Sequence, residues 1–418
     1  MPQVITEETL AARFDALGDI GVGPEGVQRL AWTEEDAATR AWFERQAADV
    51  GLRVERDPAG NLWACPDAEP PWWAVGSHLD SVRGGGRFDG PLGVACGFEI
   101  AARCERPIAV LSFADEEGAR FNTPTFGSKA LAGRLDLPSV LERRDNDGVS
   151  LAEAMRAAGV EPDAIDAAPA WLKRLTGFIE IHIDQTTELA RAGEPVGVVR
   201  ALAARTRLEV RLTGQADHAG TTPRAERRDA LSAAARLIVA AEDLAWSAAP
   251  DGGALAGADS TLDGDPAPLT VTASRIITKP NAPTTIASEV RLWIDARAPA
   301  FEAIDAWRAR LDSSVSDLTE RTGVEIELTV ASRSDPREFA PKLRAALTRA
   351  AEELLGHAPA ELLCFAGHDA GVLAEHVPAA MLFVRNPTGV SHSPEETVSL
   401  ADAALAARVV ARALEILA

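Results

Sequence analysis

The segment that decides the fold is residues 72–118, WWAVGSHLDSVRGGGRFDGPLGVACGFEIAARCERPIAVLSFADEEG. It contains two short apolar runs, 72–76 and 108–114, separated by a stretch with helical periodicity at 91–103. A strand, a helix and a second strand in this order predict a parallel α/β unit. Because α/β proteins usually carry their chemistry where parallel strands end, we expect functional residues just after the two runs.

Polar side chains follow both predicted strands. His78 and Asp80 come after the first strand, and Glu116 and Glu117 come after the second. Residues two apart in an extended segment point the same way, so Asp80 can hold the ring of a metal-binding His78 in one tautomer. Adjacent carboxylates repel each other, and a cation relieves that repulsion. One glutamate could therefore bind a metal while the other acts as a general base, although a solvated acidic turn is the alternative.

Three more residues extend this pattern along the chain. Asp89 lies in a glycine-rich loop, 84–93, that can bend closely around a small ligand. No Lys-Ser/Thr follows this loop, which disfavours a P-loop. His182 lies near the end of a predicted strand at 177–183, and His392 lies in a loop before a predicted helix. A single histidine is usually an ordinary polar residue, but three beside carboxylates favour a metal site.

The middle of the chain has a different character. Residues 205–213 alternate strictly between polar and apolar side chains, which predicts a half-solvated antiparallel strand. The other predicted elements of this block are helices at 227–247 and 301–321, strands at 269–278, 287–295 and 324–331, and a loop over 250–268. The α/β pattern returns after residue 334. The simplest topology is one α/β domain interrupted by an inserted sandwich.

Composition limits the classes of partner. The chain has 418 residues, with 42 Lys and Arg against 63 Asp and Glu, giving a net charge of −21. Such a polyanion repels nucleic acids and anionic membranes, so an anionic substrate needs a local cation. The four cysteines include no C-x-x-C pair, and the chain has no long apolar run. These features predict free thiols and a cytoplasmic protein.

Five ordered runs carry a resemblance to a known family, namely 76–93, 115–133, 181–185, 214–223 and 391–396. The chain resembles the N-carbamoyl-L-amino-acid amidohydrolases, whose relatives include allantoate amidohydrolase and beta-ureidopropionase in the dinuclear-zinc aminoacylase and carboxypeptidase superfamily. The resemblance implies an α/β catalytic domain in two parts, 1–202 and 334–418, with a mixed sheet flanked by helices. It also implies an inserted α+β two-layer sandwich at 203–333 that serves as lid and dimerisation domain, and hence a homodimer.

The resemblance further implies two divalent cations in each subunit. His78 and His182 would bind one ion, Glu117 and His392 would bind the other, and Asp89 would bridge them. Glu116 would act as general base and then as acid, and Asp80 would orient His78. Zinc suits histidine and carboxylate ligands, as do manganese, cobalt and nickel.

Further residues match family positions that hold the substrate: Gln185, His218, Thr284, Arg297 and Gly367. Arg297 would bind the substrate carboxylate in a bidentate pair, although a surface ion pair on a strand is the alternative. His218 would reach the partner subunit's active site and polarise the scissile carbonyl, although it could be an ordinary loop histidine. Thr284 departs from the family pattern, which has Asn there, and this puts the usual substrate in question.

These features predict a metal-dependent hydrolase of a non-peptide linear amide. The expected reaction converts an N-carbamoyl-L-amino acid to the amino acid, ammonia and carbon dioxide. Alternatives are ureides of the allantoate and ureidoglycolate type, an N-acyl amino acid or a dipeptide, and more remotely a non-catalytic binding protein. His182 counts against a peptidase, because peptidases of this superfamily typically carry a carboxylate at that position.

Overall fold

The computed structural model describes residues 4–246 and 269–417, so the loop predicted over 250–268 lies outside the described residues. The chain divides into two compact units. The larger unit comprises Met1–Arg200, Glu338–Leu362 and Gly367–Ala418, and the smaller unit comprises Ala201–Arg337 and Leu363–Ala366. The predicted domain boundaries at 202/203 and 333/334, and the predicted lid role, stay predictions.

The helices and strands are as follows, in chain order. The α-helices are α1 Glu7–Leu17, α2 Glu34–Asp49, α3 Pro91–Ala101, α4 Phe126–Leu131, α5 Leu137–Leu141, α6 Leu151–Ala157, α7 Glu188–Ala192, α8 Ala230–Trp246, α9 Phe301–Thr322, α10 Pro341–Leu355, α11 Asp369–Leu373 and α12 Leu400–Ile416. The strands are β1 Val22–Gly23, β2 Gly26–Val27, β3 Arg53–Arg56, β4 Leu62–Cys65, β5 Trp72–His78, β6 Ile108–Phe113, β7 Leu175–Ile183, β8 Val196–Leu202, β9 Ala204–Thr213, β10 Thr270–Lys279, β11 Glu289–Ala298, β12 Glu325–Ser334, β13 Arg337–Glu338, β14 Ala360–Cys364 and β15 Ala379–Val384. Two 3-10 helices span Pro162–Arg174 and Arg224–Glu226.

A large mixed sheet has the strand order β13-β8-β15-β7-β5-β6-β4-β3, with β14 paired to β8. Its central strands β15, β7, β5 and β6 are parallel, whereas β8, β4 and β3 run antiparallel to their neighbours. The predicted parallel unit over 72–114 is therefore confirmed as β5-α3-β6. Helix α3 is buried along almost its whole length, and its Leu92 belongs to the same apolar core as Ile181 of β7 and Leu382 of β15. This packing fixes the ends of the parallel strands relative to one another.

The smaller unit contains a four-stranded antiparallel sheet in the order β10-β11-β9-β12. The predicted alternation in β9 is confirmed, because Leu208, Val210 and Leu212 are buried together with Leu237 of α8 and Trp307 of α9. The intervening residues of β9 lie on the opposite, more exposed face. One face of this sheet therefore packs on two helices, while the other carries polar side chains.

The predicted fold class is confirmed. The pattern of the first 50 residues predicts helix, but this is wrong for 18–33, where four glycines and Pro24 follow α1 and the short strands β1 and β2 form. Thr33 caps α2, with its side chain accepting the backbone N–H of Asp36. Within the described residues, no helix combines the length and the apolar character needed to cross a bilayer.

Candidate metal centre and substrate residues

The candidate metal ligands lie at the carboxyl ends of the parallel strands or in the loops that follow them. His78 is the last residue of β5, and His182 is the penultimate residue of β7. Glu117 follows β6, His392 lies between β15 and α12, and Asp89 precedes α3 by two residues. Since the carboxyl ends of parallel strands share one edge of a sheet, residues far apart in sequence meet there.

Asp89 lies at the centre of this group. Its Oδ1 is 3.0 Å from Nε2 of His182 and 3.4 Å from Nε2 of His78. Its Oδ2 is 3.6 Å from Nε2 of His392, and the same nitrogen is 3.5 Å from Oε2 of Glu117. The two oxygens of one carboxylate therefore face two separate sets of possible metal ligands.

Backbone carbonyls fix the two buried imidazole rings. Nδ1 of His78 is 3.1 Å from the carbonyl oxygen of Asp80, and Nδ1 of His182 is 3.0 Å from that of Ile183. A carbonyl only accepts, so Nδ1 carries the hydrogen and Nε2 of the neutral ring is an acceptor directed at Asp89. This is the tautomer that metal binding through Nε2 requires.

Asp80 has a different contact from the one expected. Its carboxylate accepts the backbone N–H groups of Glu116 and Glu117, at 3.1 and 3.0 Å, and lies 3.6 Å from Nδ1 of His78. The closer partner of His78 is the Asp80 carbonyl, because two N–H donors hold the carboxylate on the β6 side. Asp80 thus contacts both the His78 ring at the end of β5 and the backbone of Glu116 and Glu117 after β6.

The electrostatics of the group suit cations. Burial raises the pKa of Glu116, and the carboxylates of Asp369 and Glu117 raise it further. Burial also raises the pKa of Glu117, whose Oε1 is enclosed without a hydrogen-bond partner among the described residues. Burial opposes the charged form of His182, yet the charge of Asp89 outweighs it and raises the pKa of His182 to about 9. Divalent cations would relieve both the crowded carboxylates and the orphaned oxygen, so these residues fit a metal site.

Gly90 allows the loop to approach His78. The residue has a φ of +84°, a backbone conformation that favours glycine. A Cβ atom there would lie 2.5 Å from the His78 ring and 2.7 Å from the His78 carbonyl oxygen. The glycine next to Asp89 is therefore required by the packing of the site.

Two predicted substrate residues lie in the larger unit. Nε2 of Gln185 donates to Oδ2 of Asp89 at 3.3 Å. Gly367 follows β14, and a Cβ atom placed there would meet nothing within 4 Å. The structure brings Gln185 to the metal ligands and leaves open space beside Gly367.

His218 belongs to the smaller unit and has a defined tautomer. Its Nδ1 accepts the backbone N–H groups of Gly220 and Thr221, each at 3.1 Å. Nδ1 of the neutral ring is therefore unprotonated, and Nε2 carries the hydrogen and can donate it. Thr284 is exposed, and its carbonyl accepts the backbone N–H of Ala219, which places residue 284 beside the His218 loop.

Arg297 projects from β11 in the same unit. Its Nε donates to Oδ1 of Asp295 at 2.6 Å, and its Nη1 donates to the carbonyl of Phe365 at 2.5 Å. The ion pair that was the alternative reading of Arg297 is thus present. It holds the guanidinium group in place while Nη2 has no hydrogen bond among the described residues.

A family comparison supports the metal-hydrolase reading of this geometry. The model of peptidase family M20/M25/M40 matches residues 74–416. The chain belongs to this family. Family M20 is metal-dependent, and the chain is a hydrolytic enzyme. The predicted resemblance is therefore confirmed.

Individual relatives cover nearly the whole M20 chain. It is 36% identical to an N-carbamoyl-L-amino acid amidohydrolase of Geobacillus stearothermophilus, with 97% of each chain covered. It is 29% identical to an allantoate amidohydrolase of Bacillus subtilis, over 90% of this chain and 88% of that protein. A crystal structure of a hydantoinase/carbamoylase family amidase from Burkholderia vietnamiensis matches with a TM-score of 0.81 and 29% identity, covering 98% and 97% of the two chains.

His368 and Asp369 were not predicted as metal ligands from the sequence. In this M20 chain, the buried ring of His368 packs on His182 with centroids 4.3 Å apart, and neither of its ring nitrogens has a protein partner among the described residues. Asp369 accepts the Ser128 hydroxyl at 2.5 Å. Their position just after β14 could have indicated a functional role, but that strand was not predicted from the sequence.

Proposed function

We propose that the chain is an N-carbamoyl-L-amino acid amidohydrolase with two divalent cations in each subunit. The observation that carries this proposal is the position of Asp89, with one oxygen facing His78 and His182 and the other facing Glu117 and His392. The name of the Geobacillus relative supports the choice of substrate.

His78, His182 and Asp89 would hold one cation, and Asp89, Glu117 and His392 would hold the other. Zinc is our first choice, and manganese, cobalt and nickel suit the same ligands. When bound, such cations lower the pKa of a water molecule towards about 7 and polarise a carbonyl group. Asp80 positions the glutamate pair by accepting their backbone N–H groups.

Glu116 is the proposed general base. Its carboxyl group is buried, and Oε2 lies 3.9 Å from Nε2 of His78. Burial and the carboxylates of Asp369 and Glu117 raise its pKa, which brings it closer to the pH at which a base can also act as an acid. Glu116 would accept the proton of the attacking water and then donate it to the leaving nitrogen.

Residues of the smaller unit are proposed to bind the substrate. His218 would donate its Nε2 hydrogen to the substrate carbonyl oxygen, in the partner's active site as the resemblance implies. Arg297 would bind the α-carboxylate through its free edge. Gln185, Thr284 and Gly367 would complete the contacts. Addition of one water molecule to the N-carbamoyl amino acid then yields the amino acid, ammonia and carbon dioxide.

Two further proposals follow from the resemblance rather than from an observed contact. The enzyme would be a homodimer, because His218 would serve the partner's active site. It would act in the cytoplasm, where the free thiols of its four cysteines would stay reduced.

A second candidate activity is hydrolysis of a ureide such as allantoate, or of an N-acyl amino acid. Thr284 favours this alternative, because the family pattern has Asn there and the shorter side chain lacks its amide. The scaffold and the proposed general base would be the same. Only the groups on either side of the scissile bond would differ.

The test is to incubate the metal-loaded enzyme with N-carbamoyl amino acids, N-acyl amino acids and allantoate, and to measure ammonia and free amine together. Equal release of ammonia and amino acid from an N-carbamoyl substrate is the expected result. Amine without ammonia would move the substrate to an acyl amide, and no release from any compound would overturn the proposed function.

A further inference from the structure

The open face of the smaller sheet carries an unusual group of charges. Arg205 lies directly opposite Arg297 in the β9–β11 register, and Arg207 lies opposite Asp295. These four side chains, which we call the Arg205 cluster, alternate with the buried Leu208 and its neighbours, so they lie on the face away from α8 and α9. The cluster contains three guanidinium groups and one carboxylate.

The rest of the same face is balanced. Arg291 pairs with Glu209 at 2.6 Å, and Arg211 lies 3.5 Å from Glu289. The residues that flank the Arg205 cluster on the outer strands bring no compensating charge: Thr270, Thr272, Ser332 and Ser334. The excess of positive charge is therefore confined to one end of the sheet, in a chain whose net charge is −21.

The single carboxylate of the cluster is already shared. Oδ1 of Asp295 accepts from Arg297 at 2.6 Å, and Oδ2 accepts from Nη2 of Arg207 at 2.9 Å. Arg205 donates to the Ser334 hydroxyl at 3.2 Å and makes no ion pair among the described residues. Burial lowers the pKa of Arg205, and the charges of Arg207 and Arg297 lower it further against the opposing charge of Asp295.

Like charges directly opposite each other on paired strands destabilise a sheet. Arg205 and Arg297 form such a pair, and a bound anion would remove the repulsion between them. Opposite residues in antiparallel strands have Cα atoms about 4.5–5.5 Å apart, so two guanidinium groups can meet two carboxylates of one small molecule.

We infer that the Arg205 cluster binds a second anionic group of the substrate, so that the preferred substrates are N-carbamoyl amino acids with an acidic side chain. Arg205 takes the side-chain carboxylate with help from Arg207, while Arg297 takes the α-carboxylate. This inference rests on the proposed function, in which Arg297 binds the α-carboxylate. Without such a cluster, the net negative charge of the chain would repel a substrate with two carboxylates.

The test compares N-carbamoyl-L-glutamate with N-carbamoyl-L-glutamine, which has the same length and no side-chain charge. We expect the full-length metal-loaded enzyme to have a higher kcat/KM for the acidic compound. In Arg205→Met, kcat/KM for the acidic compound should fall by about tenfold or more, because a charge-assisted hydrogen bond is lost, while the value for the neutral compound is kept. Arg205→Lys should recover part of the preference.

Arg211→Met is the matched control, because Arg211 lies on the same strand and the same face but at the balanced end. It should keep the preference for the acidic compound. If Arg205→Met lowered kcat/KM equally for both compounds without a change in thermal stability, the inference would be overturned. Arg205 would then bind the α-carboxylate that both compounds share. Turnover without an acidic preference in the unmodified enzyme would also overturn it and leave the proposed function standing. Failure to hydrolyse any N-carbamoyl compound would instead overturn the proposed function.

Discussion

His182 in the larger unit and His218 in the smaller unit have the same side chain in opposite tautomers. Nδ1 of His182 faces the carbonyl of Ile183 and must carry the hydrogen, which leaves Nε2 as the acceptor in the neutral ring. Nδ1 of His218 accepts two backbone N–H groups, which leaves the hydrogen on Nε2. The first ring is buried and suits a metal, and the second is exposed and suits a carbonyl oxygen.

In both histidines, the backbone partner of Nδ1 decides what the other ring nitrogen can do. At the end of β7 the partner of Nδ1 is a carbonyl, whereas the turn at 218–221 presents N–H groups. The larger unit thus presents electron-pair donors that suit cations, and the smaller unit presents hydrogen donors and guanidinium groups that suit anions. Substitutions in the two units should therefore differ in their effects on metal content and on reaction rate.

The largest effect is expected from Asp89→Asn. The amide removes the negative charge that faces both sets of ligands, so metal content and activity should fall together to background. Metal analysis of the purified variant by mass spectrometry, alongside the ammonia assay, checks this. Full metal content in a folded variant would contradict the bridging role. The control for metal content is Asp217→Asn. The Asp217 carboxylate lies in the other unit, where it accepts the backbone N–H of His218.

Glu116→Gln should separate chemistry from metal binding. Loss of the general base should reduce kcat by about 10²–10⁴-fold, while metal content is unchanged. The comparison uses single-turnover rates and metal analysis of the same preparation. Unchanged turnover would remove Glu116 from the mechanism, and loss of metal would make it a ligand instead.

His218→Asn tests the donor tautomer in the smaller unit. Asparagine is too short to place an N–H at the position of Nε2, so the donor to a developing oxyanion is lost and kcat should fall by about 10²–10³-fold without any change in metal content. His218→Gln, which keeps a longer N–H donor, should recover part of the rate. If His218→Asn lost metal as Asp89→Asn does, the proposed division of labour between the two histidines would be wrong.

The smallest effect concerns stability and pH in the metal-free protein. The pKa of His182 is raised to about 9, and burial raises the pKa values of Glu116 and Glu117. A group with a raised pKa stabilises the fold most at low pH and loses that contribution as the pH rises through its folded pKa. Between pH 6.5 and 9 the Tm of the chelated protein should therefore fall by a few degrees, at about 2–4 °C per kcal/mol.

Calorimetry with and without chelator measures this difference. The metal-loaded protein should show the smaller pH dependence, and His218→Asn should behave like the unmodified chain, since its ring lies in the other unit. A Tm of the chelated protein that rises between about pH 6.5 and 9 would contradict the predicted direction of the change.

Sequence patterns predicted most of the larger unit because its strands are short apolar runs with clear ends. The runs at 72–76 and 108–114 lie within two residues of β5 and β6, and the candidate ligands His78, Glu117 and His182 lie at or near strand ends. The strands β8 and β14 were not predicted, since Val196–Leu202 is interrupted by Arg200 and Ala360–Cys364 is short.

The remaining features depend on contacts between residues far apart in the chain, which the sequence patterns do not reveal. The closer contact of Asp80 to His78 is through its carbonyl, because the carboxylate is held by N–H groups 36 and 37 residues later. The Arg205 cluster was not predicted, since only the β9–β11 register places Arg205 opposite Arg297. The packing of His368 on His182 likewise joins positions far apart in the chain.

The contact between Gly90 and His78 has a consequence for directed evolution of the enzyme. Any other residue at 90 would displace the His78 ring or carbonyl, so random mutagenesis across 84–93 would produce inactive clones for reasons unrelated to substrate choice. Libraries aimed at new substrates should therefore leave that loop constant. Their diversity belongs at 205, 207 and 284, where the side chains are at least partly exposed and no candidate metal ligand would be disturbed.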